Sequence, residues 1–348
     1  MDDADLQPSA ALASIVAGED LTQEQTASLF GRLMDGELDE PLKAALLVAL
    51  AVKGESAEEI AGAAIAMRGR LVPVPSVRKG LVDTCGTGGD SKGTFNISTA
   101  AALVAAAAGV PIAKHGNRSV SSRSGSADVF GALGVEIEMS PALAGRALDE
   151  IGLAFLFAPG YHPAMREVMP VRRSLGIRTI FNLLGPLTNP AGARRQVIGV
   201  YSAELVPLMA RVLARLGCEH ALVVHGEDGL DELTTTAATR VAEVRGPNIE
   251  TFRLTPESLG LDRVQMSDLA GSDPQSNAAR LEAVLRGETG PLAEITALNA
   301  AAALYVGERA GDLREGLEKA RRVLESGAGL TKLEELRSFS ARSGDPKP

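Results

Sequence analysis

Three glycines in four positions, Gly86, Gly88 and Gly89, stand between two apolar runs, and they constrain this chain more than any other feature. Leu81-Val82 reads as the end of a buried strand, and Ala100 to Ala108 is apolar enough to be only helix or buried filler. The order is strand, glycine-rich loop, helix. Glycine lets the backbone take φ > 0 and turn its N–H groups inward, and a helix opening just beyond adds the positive end of its dipole. A loop of this kind suits phosphate or pyrophosphate. The segment Asp83-Thr84-Cys85-Gly86-Thr87-Gly88-Gly89-Asp90 lacks the Gly-Lys-Ser/Thr ending of a P-loop and the G-x-G-x-x-G spacing of a dinucleotide fingerprint. Asp90 puts a carboxylate beside the expected phosphates, which makes sense where a hydroxyl or a metal ion shares the site. With no ligand, the same residues would be an ordinary tight turn.

Before this loop, residues 1 to about 70 read as all-helical. Ala10 to Ala17 is a short helix; Thr22 caps a second; Asp39 to Val52, with Pro41 in its first turn, is a third; Ser56 caps a fourth that runs to about Arg70. Leu71-Val72-Pro73-Val74-Pro75 is an extended linker, because proline disfavours helix in the residue before it. Strands are then expected at Leu81 to Thr84, Pro111 to Lys114, Val135 to Met139, Leu153 to Phe157, Gln196 to Tyr201 and Ala221 to His225. Ala100 to Ala108, Ala127 to Leu133, Pro141 to Ile151 and Leu205 to Leu216 are the helices between them. That alternation predicts an α/β fold with a mostly parallel sheet covered by helices on both faces. His162 to about Leu187 is a long helical stretch without a strand, so the chain is expected to return there to the helical domain. Thr239 to Val244 and Ile249 to Leu254 form an antiparallel edge pair; Gln275 to Arg286, Ala293 to Val306 and Leu313 to Ser326 close the domain. The predicted division is a helical domain of residues 1–72 with a return segment at 171–194, an α/β domain of 73–170 and 195–339, and a disordered tail of 340–348.

Composition narrows the function. At 348 residues the chain has room for two domains, and 45% hydrophobic residues fit sizeable cores. A net charge of −9 gives no global attraction to nucleic acid or an anionic membrane. Two cysteines, Cys85 and Cys218, are too few for a disulfide scaffold or a zinc cluster. No basic, apolar leader opens the chain and no apolar run is long enough to span a bilayer, so a cytoplasmic protein is expected.

Two further loops carry chemistry. Lys114-His115-Gly116-Asn117-Arg118-Ser119, followed by Ser121, Ser122 and Ser126, ends a strand, where open α/β sheets put their ligands. Its cations and donors suit a pyrophosphate or a ribose phosphate. Asp231-Glu232 lies just beyond another strand; neighbouring carboxylates in an extended segment point apart, and so suit two ions, or one ion and its water shell. Such a pair is ordinary surface by itself, but beside phosphates it points to magnesium. Arg166, Arg172, Arg173 and Arg178 lie on the irregular helical stretch, and spacing alone selects none of them for a carboxylate.

Taken together, Asp83 to Asp90, Thr94 to Thr99, Lys114 to Ser126, His162 to Asn182 and Asp231-Glu232 resemble the anthranilate phosphoribosyltransferases of tryptophan biosynthesis, from about Leu12 to Phe339. The pairing of Lys-His-Gly-Asn-Arg with Arg178-Thr-Ile-Phe-Asn-Leu-Leu-Gly-Pro-Leu-Thr-Asn-Pro190 is the most specific part of the likeness. The resemblance implies transfer of the 5-phosphoribosyl group from 5-phosphoribosyl 1-diphosphate to the amine of anthranilate, with release of pyrophosphate. It also implies Mg2+ as cofactor and a homodimer through the helical domain, with neither nucleic acid nor membrane as partner. By the family's pattern Gly86, Gly89, Asp90, Thr94, Asn96, Ile97, Ser98 and Thr99 bind the phosphoribosyl diphosphate. Lys114, His115, Gly116, Asn117, Arg118, Ser119, Val120, Ser121, Ser122 and Ser126 join them from the second loop. Gly86, His115, Asn117, His162, Arg172 and Pro186 take anthranilate, and Ser98, Asp231 and Glu232 hold the metal. No residue is expected as a catalytic acid or base. A pyrimidine nucleoside phosphorylase would carry a Lys-His-Ser-Thr-Gly-Gly type of loop in place of Thr84 to Asp90. A non-catalytic nucleic-acid-binding relative would show a basic face and an eroded acceptor site.

Overall fold

The computed structural model describes residues 6–119 and 124–342. Four helices open the chain: α1 (Pro8–Val16), α2 (Gln23–Met34), α3 (Glu40–Lys53) and α4 (Ala57–Arg68). Their starts follow from local chemistry. The Thr22 hydroxyl accepts from Gln25 N at 3.2 Å while the Gln25 side chain accepts from Thr22 N at 3.0 Å, and Ser56 and Glu59 repeat that reciprocal cap on α4. Asp39 caps α3 through Leu42 N, with Pro41 in the first turn.

The sheet follows, threaded by helices: β1 (Val82–Asp83), α5 (Ile97–Ala107), β2 (Ile112–Gly116), α6 (Ser126–Ala132), α7 (Pro141–Glu150) and β3 (Leu153–Phe157). After a folded segment containing α8 (Ala158–Tyr161), α9 (Met169–Leu175) and α10 (Phe181–Leu184), the sheet resumes as β4 (Arg195–Gly199), α11 (Leu205–Arg215), β5 (His220–Gly226), β6 (Thr239–Arg245) and β7 (Asn248–Leu254). The chain closes with α12 (Pro274–Leu285), α13 (Pro291–Val306), α14 (Leu313–Glu325) and α15 (Ala328–Ser340). The seven strands run in the order β3-β2-β1-β4-β5-β6-β7, parallel from β3 to β5 and antiparallel through β6 and β7. From β1 the chain moves outward to β2 and β3, then crosses back to β4 on the other side. The carboxyl end of β1 is therefore the switch point, the place where such sheets leave a crevice.

One core packs α5, α13, α14 and α15 on one face of the sheet; the alanines of α5 and α13 allow their close approach. The second core runs from α1–α4 through Val168, Val171, Ile180 and Phe181 to α11 and the opposite sheet face. The segment before β4 is thus buried with the helical bundle.

Several expectations need correction. Residues 135–139 form no strand: Glu136 N donates to the Ser340 hydroxyl and Glu138 N to the Glu136 side chain, while Val135, Ile137 and Met139 are buried. Their alternation mimics a strand, but no neighbouring strand accepts their N–H groups. The stretch from His162 is not one long helix; it is broken into short turns by Pro163, Pro170, Gly176 and Pro186. Helix α15 was not anticipated, and Ser340, assigned to a tail, ends it buried. Ala341 caps that helix and Arg342 is exposed, while residues 343–348 of the expected tail lie outside the described residues. No helix among the described residues is long and apolar enough to cross a membrane.

Candidate active site

The floor of the crevice is built on Asp83. Its fully buried carboxylate accepts from His115 N at 3.1 Å and from Asn189 Nδ2 at 2.7 Å; Asn189 Nδ2 also donates to Ala113 O. Burial pushes the Asp83 carboxyl up to about 6, against the pull of Asn189, Lys114 and backbone N–H groups. Lys114, also buried, donates from Nζ to Thr84 O at 3.2 Å and Thr84 Oγ1 at 3.1 Å, and burial lowers its pKa. Lys114 therefore sits beneath the glycine loop, supporting its base.

The loop itself is pressed against β4. A Cβ on Gly86 would meet Gly199 O at 2.8 Å, and Gly88 and Gly89 take φ of +64° and +85°, so glycine is needed for two separate reasons. Thr87 N donates to Gly199 O at 2.8 Å, Tyr201 N donates to Thr87 Oγ1 at 3.2 Å, and Arg178 Nη2 donates to Gly89 O at 2.5 Å. Asp90 accepts from Lys92 N. Thr94 bridges to Ala270, and Asn96 is held by Ser124 O and by Asn277 Nδ2. Ile97 and Thr99 are buried as α5 opens, whereas Ser98 remains partly exposed.

The second loop leaves β2 beside the first. Gly116 is closely confined by Ser126 and Phe155. Asn117 and Arg118 are exposed; Asn117 Oδ1 accepts from Arg118 N at 2.7 Å, and its carbonyl accepts from Ser126 Oγ at 3.4 Å. Asp128 closes the loop, accepting from Ser119 N and Gly125 N at 3.0 Å each and pairing with Arg118 at 3.3 Å. The expected ligands Val120, Ser121 and Ser122 lie outside the described residues.

Asp231 and Glu232 follow β5 and reach the mouth of α5, where Glu232 Oε1 accepts from Ser98 N at 3.2 Å. Asp231 is raised well above the usual carboxylate range by burial and by the neighbouring Asp90 and Glu232 charges. Burial lifts Glu232 to about 7, although Lys114 and Ser98 oppose the rise. The two desolvated carboxylates of Asp231 and Glu232, with Asp90 beside Asp231, offer oxygen donors in need of positive charge, which fits magnesium. A different trio, Asp83, Cys85 and His115, brings its ligand atoms within 4.8 Å of one another. There the Asp83 and His115 atoms are committed to internal hydrogen bonds and burial pushes the Cys85 thiol up, so the cluster serves the fold.

On the bundle side, His115 and His162 face each other, Nε2 to Nε2 at 3.2 Å, and His115 Nδ1 lies 3.1 Å from Gly185 O. A carbonyl only accepts, so His115 carries its proton on Nδ1 and His162 Nε2 donates to it; this leaves the buried His162 Nδ1 as a lone pair with no partner among the described residues. Burial lowers His115 to about 3, with His162 adding to the shift, and His162 to about 4, so both are neutral at pH 7. Of the four arginines, Arg172 is half-buried over Phe181 at 5.6 Å, and no carboxylate pairs with it among the described residues. Burial lowers its pKa. Arg166 and Arg173 are exposed, and Arg178 is spent on Gly89. Pro186 is buried in the turn bearing Gly185. A cavity of about 280 Å³ at the amino ends of β4 and β5, lined by Arg68, Arg194 and Cys218, also touches Pro186 and Asn189.

Asn189, Asp128, Gly199, Tyr201 and Arg178 were not selected as site residues from sequence. Their roles depend on partners 3 to 114 positions away, the widest of these separations being that between Thr87 and Tyr201.

The glycosyl transferase family's helical bundle domain matches residues 9–70, and its a/b domain matches residues 78–330. An anthranilate phosphoribosyltransferase from Clostridium kluyveri is 48% identical over 330 residues, spanning 95% of this chain and 98% of that one. The crystal structure of the Thermus thermophilus anthranilate phosphoribosyltransferase superposes with a TM-score of 0.90 at 49% identity, covering 95% of this chain and 99% of that one. The Saccharomyces cerevisiae enzyme in complex with PRPP and Mg gives a TM-score of 0.87 at 30% identity, covering 95% and 98%. With both family domains matched in order and the likeness sustained across nearly the whole chain, the protein belongs to the anthranilate phosphoribosyltransferase family.

Proposed function

We infer that this crevice moves the 5-phosphoribosyl group of 5-phosphoribosyl 1-diphosphate onto the amine of anthranilate and releases pyrophosphate. The observation that supports the reading is the convergence at one switch point of a glycine loop, a carboxylate cluster and a half-buried arginine with no acid partner among the described residues. Apart from Thr87 N, which is on Gly199 O, the N–H groups of the Gly86–Asp90 loop suit the diphosphate, and α5 adds the positive end of its dipole while its first N–H groups are held by Phe95 O, Asn96 O and Glu232. Asn117, Arg118 and Ser119 cover it from the second loop, and Lys114 holds the first loop in shape from below. Asp90, Ser98, Asp231 and Glu232 would hold magnesium, which when bound supplies positive charge against the leaving diphosphate.

As the C1–oxygen bond breaks, positive charge builds on the ribose and negative charge on the diphosphate, which the loop donors would stabilise. Arg172 offers its planar fork to the anthranilate carboxylate. The neutral His115–His162 pair and Pro186 border the aromatic ring, and His162 Nδ1, which has no partner among the described residues, can accept an N–H from the attacking amine. An aromatic amine is uncharged near pH 7 and attacks without a strong base, so positioning and electrostatics supply the rate.

Bundle and sheet domain are read as two bodies, 1–72 with 171–194 against 73–170 with 195–339, hinged at Leu71 to Pro75, where Val72 N and Val74 N bond to Tyr161 O and Pro190 O. Exposed Val16 on α1 and Val52 on α3, two helices that pack together, favour a homodimer through the bundle. Two unpaired cysteines suit a reducing cytoplasm. The test follows anthranilate fluorescence after addition of the sugar diphosphate, with magnesium and then with chelator. Magnesium-dependent loss of signal is expected; a constant signal with intact protein would overturn the reading.

A further inference from the structure

We propose that Arg178 is a positioning residue that sets the diphosphate loop and couples it to the acceptor side of the crevice. This rests on the reading of Gly86–Asp90 as the diphosphate loop.

A loop with two glycines in the left-handed region has many backbone states open to it, and ordering them costs free energy unless something holds one state. Arg178 is placed to do so. Its Nη2 donates to Gly89 O at 2.5 Å, and its guanidinium lies 3.9 Å from the centre of the Tyr201 ring. The Tyr201 N–H in turn donates to Thr87 Oγ1, whose backbone N–H is on Gly199 O. Arg178 and Tyr201 therefore clasp the loop from both sides, at Gly89 and at Thr87. Because a trans peptide is planar, fixing the Gly89 carbonyl toward Arg178 turns the Asp90 N–H to the opposite side. That N–H is one of the loop donors, and Asp90 belongs to the carboxylate cluster, so a flip of this one peptide would disturb both.

The other end of the coupling lies in the chain. Arg178 follows Gly176, whose φ of +62° ends α9 and turns the backbone toward the loop. It stands six residues after Arg172, in a segment whose Val171, Ile180 and Phe181 are buried with the helical bundle. A displacement of the bundle that brings Arg172 to the acceptor would carry the donor on Gly89 with it. Acceptor capture and diphosphate-loop geometry then become one motion.

The test is steady-state kinetics on the full chain for Arg178→Ala, Arg178→Lys, Tyr201→Leu and the Arg178→Ala/Tyr201→Leu double variant, with a thermal melt for each. Loss of a charge-assisted hydrogen bond predicts that Arg178→Ala raises KM for the sugar diphosphate about tenfold, while kcat and the melting temperature change little. Arg178→Lys, which keeps a cationic donor but not the stacked plane, recovers part of that loss. Tyr201→Leu gives a similar rise, and the double variant is no worse than the single ones, because the two residues act as one clasp. An unchanged KM for the sugar diphosphate in Arg178→Ala would overturn the proposal. So would equal losses in both KM values together with a lowered melting temperature, or full additivity in the double variant. Wild-type protein that does not consume the sugar diphosphate at all would instead overturn the assignment of the loop.

Discussion

Replacing His162 by glutamine should flatten the acid limb of the stability curve. In the folded chain burial holds His115 at about 3 and His162 at about 4, against an ordinary 6.5. Between pH 6.5 and 4 the unfolded chain therefore binds more protons than the folded one, so stability is complete above pH 6.5 and is lost as the pH falls. At pH 5.5 an unperturbed histidine is about ten-elevenths protonated, and the protons that the buried rings refuse cost about 1.4 kcal/mol per ring. The glutamine amide can keep the donation that His162 Nε2 makes to His115 Nε2, so the variant loses little at pH 7.5. Its loss between pH 7.5 and 5.5 should be smaller than the wild type's by about 1.4 kcal/mol, a single histidine's share. Urea denaturation followed by circular dichroism at pH 7.5, 6.5 and 5.5 measures both slopes. Parallel slopes for the two proteins would refute the argument, since His162 would then titrate alike in folded and unfolded chains.

Arg172→Ala should raise KM for anthranilate roughly ten- to hundredfold, the worth of charge-assisted hydrogen bonds, and leave KM for the sugar diphosphate in place; initial-rate kinetics in both substrates check the split. Asp231→Asn should cut kcat by roughly hundredfold or more, as expected when a metal's charge is misplaced, and should weaken the response of rate to magnesium. A Cβ on Gly199 would overlap the Asp231 carbonyl. Gly199→Ala should therefore displace the Asp231-Glu232 turn and raise the magnesium needed for half-maximal rate about tenfold; an unchanged magnesium titration would contradict that geometry.

The helical opening, the change to alternating strands and helices after Leu71-Val72-Pro73-Val74-Pro75, and the three loops that follow β1, β2 and β5 were legible in the chain, because caps, apolar periods and glycine clusters are local signals. The strand expected at Val135 to Met139 failed for the opposite reason: alternation shows which side chains are buried, not whether a neighbouring strand accepts the backbone bonds. Helix α15 was missed between Ala328 and Ser340, though it covers α5 and buries Leu333, Leu336 and Phe339. For the site, the sequence determined which carboxylates, cations and glycines were available. Only the tertiary structure decided that Lys114 and Asn189 serve the floor, that Arg172 alone of four arginines is half-buried, with no acid partner among the described residues, and that Arg178 holds Gly89. Those choices turn on desolvation and on contacts between residues far apart in sequence, and neither is encoded in any short stretch of chain.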